Sequence, residues 1–368
     1  MLKLHLVVGA RPNYMKMAPL YDEFSKYPEE FQIKFVHTGQ HYDESMSKLF
    51  FEDLGMPKPD VFLEVGSGTH GAQTARIMER YESYLLETMP DIVFVAGDVN
   101  STAACAIDAA KLHILVAHVE AGLRSYDHRM PEEINRLLTD QISDYLLTPS
   151  PDADANLLKE GIAQEKIFFV GNIMIDSLVK HREIANKSTI LTELKIPAGN
   201  DIEKYCLVTL HRPSNVDGET GLRTILEAFQ VIGKQIRIIF PMHPRTRNNI
   251  KQLGIDELLN SIPNLKITEP LGYLDFLKLE LNAELVITDS GGIQEETTYL
   301  QIPCLTLREN TERPITVTEG TNQLVKLDTL SIINAALDVF KGNKKHGSIP
   351  KYWDGHTSQR IVEIFKNR

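Results

Sequence analysis

Residues Val286–Arg313 read VITDSGGIQEETTYLQIPCLTLRENTER, a β-turn-α-β unit that sets a Gly-Gly turn, a carboxylate and an arginine within one short segment. LVIT reads as a buried strand that Asp289 and Ser290 close. Gly291 and Gly292 let the backbone come close to a ligand before the helix IQEETTYL begins. The free N–H groups and positive dipole end of that helix suit a nucleotide diphosphate. Glu296 lies on the first turns, where a carboxylate beside a diphosphate would be repelled. A pair of neutral ribose hydroxyls is its more natural partner. A plainer reading also fits this segment alone: Gly-Gly ends a strand and Glu296 complements the helix dipole.

Working outward, the same grammar runs through the chain. LKLHLVVG, FQIKFVHTG, DIVFVAGD and ILVAHVEAG alternate with helical segments expected near Tyr14–Tyr27, Gly71–Met89 and after Ser101. YCLVTLH, IRIIFPMH, LKITEP, AELVITDS and PCLTLR repeat the pattern in the second half. Apolar strands alternating with amphipathic helices predict parallel sheets, hence an α/β protein of two Rossmann-like lobes. The polar stretch after IFFVGNIMIDSLVKH places the boundary near Gly171–Ser188, with lobes at 1–171 and 172–354. Ligands of such sheets bind at the carboxyl ends of strands. Gly9–Lys16, Gly97–Ser101, Glu120–Arg124, His211, His243 and Ser290 all fall there, so one cleft between the lobes is expected.

Composition narrows the function classes. The chain has 368 residues, 42% hydrophobic and 24% charged, enough for two domains with substantial cores. A net charge of -11 argues against a general nucleic-acid binder, while leaving room for a local basic pocket. Cys105, Cys206 and Cys304 are far apart in apolar surroundings without CxxC spacing, so they read as reduced core residues and imply no metal site. MLKLHLVVGARP runs straight into a strand, and no apolar run approaches the ~20 residues of a membrane span. A cytoplasmic protein is expected.

Three carboxylates fall at one rim. Asp98 closes the strand of GDVNST, Glu120 that of VEAGLRS, and Glu132 starts the helix of MPEEINR with Arg136 one turn later. Crowded carboxylates suit acid-base chemistry, although each alone is more often a cap or a surface ion pair. In GARPNYMK, Arg11 and Lys16 are phosphate-compatible cations, or merely solvated ones. His211 and His243 end successive strands with Arg212 and Arg245 beside them, which favours an anion-binding rim. EPLGYLDFLKL could hold a uracil ring but is equally an amphipathic core helix.

GARPNYMKMAP, HTGQHYD, GDVNSTAA, HVEAGLRS, MPEEINR, TLHRPSN, MHPRT, EPLGYLDFL, TDSGGIQEE and LRENTERP, in this order and spacing, resemble the non-hydrolysing UDP-N-acetylglucosamine 2-epimerases over nearly the whole chain. The resemblance implies a GT-B-like pair of lobes, a homodimer, a UDP-sugar between the lobes, and a last helix, about 355–368, packed back on the first lobe. It implies inversion at carbon 2 of UDP-N-acetylglucosamine to give UDP-N-acetylmannosamine for surface polysaccharide precursors. The family route eliminates UDP to 2-acetamidoglucal and adds it back, with no metal and no other cofactor. By matching position, Asp98, Glu120, Glu132 and His211 look catalytic. Arg11, Lys16, Arg136, His243, Ser290, Gly291, Gly292, Glu296 and Arg313 look like substrate contacts.

The departures from the family pattern bear on the sugar. HRPSN stands where many members read HRREN, and GARPN where they read GTRPE, so a 2,3-diacetamido uronic acid is an alternative substrate. Gln40-His41 is followed by Tyr42-Asp43 rather than the QHxxQ of members regulated by their own substrate. A GT-B glycosyltransferase would share the scaffold and the UDP site.

Overall fold

The apolar runs become strands that pair only in parallel in the computed structural model, which describes residues 1–40, 55, 58–197 and 204–366. His41, Tyr42 and Asp43 lie outside the described residues. Two compact units result: Met1–Lys180 with Lys351–Arg368, and His181–Pro350.

The first unit holds β1 (Leu2–Val8), β2 (Phe31–His37), β3 (Val61–Phe62), β4 (Ile92–Ala96), β5 (Leu115–Val119), β6 (Tyr145–Thr148) and β7 (Ile167–Phe169), in sheet order β3-β2-β1-β4-β5-β6-β7. The second holds β8 (Tyr205–Thr209), β9 (Arg237–Pro241), β10 (Leu265–Thr268), β11 (Leu285–Thr288), β12 (Cys304–Leu307) and β13 (Asn322–Val325), in order β10-β9-β8-β11-β12-β13. In each sheet the winding reverses beside the first strand, at β1/β4 and at β8/β11. There the loops part and leave a crevice at the strand ends. Register is explicit: Leu4 stands opposite Ile92, Ile92 opposite Leu115, and Leu285 opposite Cys206.

Helices on both faces explain why the strands are apolar without alternation. β4, IVFVA, is buried at every residue. Val7, Val36, Val93, Val95 and Val116 meet Ile77, Tyr81 and Leu85 of the helix His70–Thr88 in one core. Cys206, Val208 and Phe240 meet Leu222, Ile225 and Phe229 of the helix Glu219–Ile232 in another. Each such side chain contributes about 1.5–3 kcal/mol on full burial. The three cysteines are buried and not joined in disulfides. Among the described residues no helix is long and apolar enough to cross a membrane.

The first helix begins at Arg11, three residues before its expected start, and ends at Phe24. Pro12 in its first turn loses no hydrogen bond, because that N–H would be unpaired anyway. The side chain of Asn13 accepts from the N–H groups of Gly9 (3.2 Å) and Ala10 (3.0 Å) and donates to the carbonyl of Ala96 at the end of β4 (2.8 Å). Within EPLGYLDFLKL, Tyr273–Leu281 is a helix with Tyr273, Leu277 and Leu279 buried.

The helix Thr357–Lys366 belongs to the first unit. Phe365 meets Phe94 at 5.0 Å and Tyr145 at 4.8 Å between ring centroids. The first N–H groups of that helix would otherwise be unpaired. The buried carboxylate of Asp176 accepts from Thr357 N (3.0 Å) and Ser358 N (2.7 Å).

Candidate functional site

In the first unit the loops after β1, β4 and β5 converge on Gly97. Its φ is +66°, and a Cβ there would lie 2.7 Å from the ammonium of Lys16. Glycine is therefore required twice, for the left-handed backbone and for the approach of Lys16. Lys16 forms an ion pair with Glu120, and both side chains are buried. Glu120 itself has φ +69°, a conformation unfavourable for a residue with a Cβ and one that concentrates at functional sites. Of the expected cations, Lys16 is thus committed to a carboxylate, while Arg11 is the first residue of its helix.

Asp98 follows Gly97 and pairs with the guanidinium of Arg136. That guanidinium also meets Glu133, from Nη2 at 2.6 Å and Nε at 3.0 Å. Glu133 in turn accepts from the backbone of Ser125 (3.0 Å) and Tyr126 (2.7 Å). Burial pushes the Glu133 carboxyl up, but the Ser125 N–H and Arg136 outweigh it and hold the group below its ordinary value. Glu132, one residue earlier, is turned about 100° away on the helix and lines a different surface. With Asp98, Asn100, Asn135, Gln40 and His70 it lines a cavity of ≈ 210 Å³. Asp98 and Glu132 thus share one cavity, while Glu120 is held behind it by Lys16.

Beneath the cavity His118 on β5 contacts Asp140 through Nδ1 (2.6 Å) and the carbonyl of Gly97 through Nε2 (2.8 Å). Asp140 also meets Arg124 at 2.7 Å. Burial raises the Asp140 carboxyl, yet His118 and Arg124 prevail and lower it. This buried chain fixes the carbonyl of the glycine that precedes Asp98.

In the second unit Asp289, at the end of β11, ties down the loop after β8. It accepts from the N–H of His211 (3.1 Å), the N–H of Arg212 (3.0 Å) and the amide of Asn215 (3.0 Å). The half-exposed His211 ring lies 3.3 Å from the same carboxylate. His243 caps the helix Pro244–Gln252, accepting from Arg245 N at 3.2 Å. Burial, then the fields of His211 and Arg245, lower its pKa.

Ser290 precedes the helix Gly291–Leu300 as its N-cap residue, with an extended backbone and no side-chain cap. A Cβ on Gly291 would lie 2.5 Å from Nη1 of Arg313. Arg313 contacts Glu312 at 2.6 Å and Glu295 at 2.7 Å. Glu312 also binds Arg308 at 2.7 Å and lies 3.6 Å from Arg212. Burial raises the Glu312 carboxyl, but Arg313 and Arg308 drive it well below the usual range. Nη1 of Arg308 is buried with no hydrogen-bond partner among the described residues. Three guanidiniums thus gather around Glu312, with Arg313 beside the start of that helix, and guanidiniums are groups that can donate paired hydrogen bonds to phosphate oxygens. Further along the helix the buried Glu296 accepts from Tyr273 Oη at 3.1 Å.

Arg308, Glu312, Asp289, Glu133 and His118 were not among the expected site residues. Arg308 and Glu312 both lie in RENTER, the charged segment that ends in Arg313, and that clustering of charge is the available signal for them. For His118 no local signal exists, because its partners Asp140 and Gly97 come from other elements, whereas Glu133 has Arg136 one turn later on its own helix. Among the described residues no group of three His, Cys, Asp or Glu is gathered as a metal-ligand set.

A family model for UDP-N-acetylglucosamine 2-epimerase matches residues 23–366. The UDP-N-acetylglucosamine 2-epimerase of Methanocaldococcus jannaschii is 45% identical over 365 residues, 99% of this chain and 98% of that protein. The UDP-2,3-diacetamido-2,3-dideoxy-D-glucuronate 2-epimerase of Pseudomonas aeruginosa is 40% identical over 366 residues, 98% of this chain and 99% of that protein. A crystal structure of the M. jannaschii UDP-GlcNAc 2-epimerase in complex with UDP-GlcNAc and UDP matches with a TM-score of 0.90 and 44% identity over all of both chains. The two parallel-sheet units are those of a GT-B-like fold.

Proposed function

The chain belongs to the UDP-N-acetylglucosamine 2-epimerase family, and we propose that it interconverts UDP-N-acetylglucosamine and UDP-N-acetylmannosamine as a step toward surface polysaccharide precursors. Carbon 2 has no adjacent carbonyl to acidify its proton. A route through elimination avoids that difficulty: a carboxylate takes the proton from carbon 2 while the carbon 1–oxygen bond breaks and UDP leaves with the electron pair. The product is 2-acetamidoglucal. A proton then reaches carbon 2 from the opposite face, and the UDP oxygen re-forms its bond to carbon 1.

The observation that carries this reading is the cavity that Asp98 and Glu132 line together at the end of β4. Two carboxyls at one cavity meet the need for one group to accept a proton and another to deliver it. Arg136, already on Asp98, orients that carboxyl. The second unit would hold the departed UDP: Ser290, Gly291 and Gly292 at the helix start, with Arg313, Arg308 and His211 around the diphosphate and His243 beside them. Glu296 would accept from the ribose. Retaining UDP is what allows re-addition rather than loss of the glycal.

The test is incubation with UDP-N-acetylglucosamine in deuterated water without any acceptor. UDP-N-acetylmannosamine carrying deuterium at carbon 2 is expected. Product that keeps its original hydrogen would exclude the elimination route, and free N-acetylmannosamine with UDP would mean a hydrolysing enzyme. The similarity to the Pseudomonas aeruginosa protein, together with HRPSN at 211–215, favours one second reading, epimerisation of a UDP-2,3-diacetamido uronic acid. Parallel assays of both sugars decide between them.

A further inference from the structure

His118 lies on β5, a strand buried at every residue after Leu115, and the residue is itself completely buried. A polar ring out of water is stable only if both of its nitrogens find partners. Both do. Nε2 meets the carbonyl of Gly97 at 2.8 Å, and a carbonyl only accepts, so Nε2 carries a hydrogen. Nδ1 meets Oδ1 of Asp140 at 2.6 Å, where two lone pairs would repel, so one proton lies between them. The other carboxyl oxygen, Oδ2, accepts from Gly122 N–H at 3.1 Å and lies 2.7 Å from Nη1 of Arg124. Arg124 is held in turn by Glu160, from Nε at 2.8 Å and Nη2 at 2.6 Å. The ring therefore has one orientation that satisfies every partner.

The carbonyl that His118 holds belongs to the peptide between Gly97 and Asp98. That peptide is planar, so fixing its oxygen also fixes the N–H and Cα of Asp98. The restraint matters here because Gly97, at φ +66°, has the backbone freedom of glycine. Asp98 is held twice more: its own carbonyl accepts from Nδ2 of Asn135 at 2.9 Å, and its carboxylate pairs with Arg136. Asn135, Arg136 and Asp140 lie on the helix Pro131–Ile142, at i+3, i+4 and i+8 from Glu132. Such spacing sets them on the face of the helix that Glu132 shares. One helix face thus carries the second carboxylate of the cavity and, directly or through His118, the groups that hold the first.

We propose that His118 is a positioning residue: held by Asp140, it locks the Gly97–Asp98 peptide in the orientation that places Asp98 with Glu132 at one cavity. The proposal rests on the reading of Asp98 and Glu132 as the proton-transfer pair. Turnover depends on the placement of that pair and is sensitive to His118; nucleotide binding, assigned above to the second unit, is not.

The experiment compares kcat and KM for UDP-N-acetylglucosamine, and UDP affinity by calorimetry, in the parent, His118→Gln, His118→Asn and Asp98→Asn. The amide nitrogen of Gln stands near the place of Nε2 and reaches the Gly97 carbonyl, whereas that of Asn stands near the place of Nδ1 and reaches only Asp140. Gln should keep kcat within about five-fold, and Asn should lower it about 100-fold, the effect of a displacement on the order of 1 Å at a reacting group. KM and UDP affinity should stay within about three-fold in both. The double variant His118→Asn with Asp98→Asn should be no slower than Asp98→Asn alone, because a residue that acts through Asp98 has nothing left to place. Losses that multiply would make His118 merely structural and overturn the proposal, as would equal kcat in Gln and Asn. An impaired Asp98→Asn beside an unimpaired His118→Asn would remove the role of His118 alone. Near-normal turnover in Asp98→Asn would remove the proton-transfer reading and the proposal with it. Should His118→Asn not fold, Asp140→Asn decides: the ring stays but loses its carboxylate, so kcat should fall about ten-fold with UDP affinity kept, and an unchanged kcat would refute the proposal.

Discussion

Replacing Lys16 by Met removes the ammonium from beneath Gly97 and leaves the Glu120 carboxylate buried without its counter-ion. Met matches the length and keeps the apolar stem packed, so the change isolates the charge. Breaking one side of a buried ion pair costs about 3–5 kcal/mol, because the remaining charge stays out of water and has lost its ammonium. For a unit of this size about 2–4 °C accompanies each kcal/mol, so a loss on the order of 6–20 °C in the first unit's transition is expected by calorimetry. The double variant Lys16→Met with Glu120→Gln removes both charges and should recover most of that loss. A single variant within about 1 kcal/mol of the parent, or a double variant no more stable than the single, would refute the reasoning: the pair would then be solvated rather than buried and mutually compensated.

Asp98→Asn and Glu132→Gln should each lower turnover by about 100-fold or more while UDP affinity stays within a few-fold; near-normal turnover in both would remove the cavity of the first unit from the chemistry. Asp108 is buried, and burial with the nearby Glu82 pushes its carboxyl up to about 7. The native state thus keeps a proton that an unfolded aspartate releases near pH ~4, and stability falls as pH rises from there to about 7. Asp108→Asn should gain stability on the parent across that window in denaturant melts at stepped pH, and parallel curves would sink the assignment. Gly291→Ala presses a methyl within 2.5 Å of Arg313 Nη1 and 2.9 Å of Glu312 Oε1; UDP affinity by calorimetry should drop at least ten-fold, and an unchanged value would mean that the arginine cluster shifts without consequence for the nucleotide.

The strand–helix alternation was legible because strands buried on both faces, such as IVFVA and LVIT, admit no other use in a chain of this polarity. Strand ends were legible too, since a polar residue that follows such a run lies at the sheet's rim. What local pattern does not contain is pairing at long range. The ion pair of Lys16 leaves no trace in GARPNYMK, because Glu120 lies just past a distant strand. Arg136 was grouped with Glu132 by helical spacing, yet its partners are Glu133 and Asp98. Two successive glutamates are equivalent in composition, and only the direction of each side chain separates the one that anchors a loop from the one that lines the cavity. Similarly, Pro12 moved the first helix start to Arg11 because proline is as good a first-turn residue as it is a breaker.

The last helix also sets an order on synthesis. The first unit is made of residues on both sides of the second in the chain, so its sheet emerges from the ribosome early but its final piece only after His181–Pro350 has been translated. At about 5–20 residues per second that interval is on the order of ten to thirty seconds. Through it Asp176 lacks the backbone donors of Thr357 and Ser358, and the rings of Phe94 and Tyr145 lack Phe365. The nascent first unit therefore waits with an apolar face open, a natural place for a chaperone to hold it, while the second unit has every residue it needs to close first.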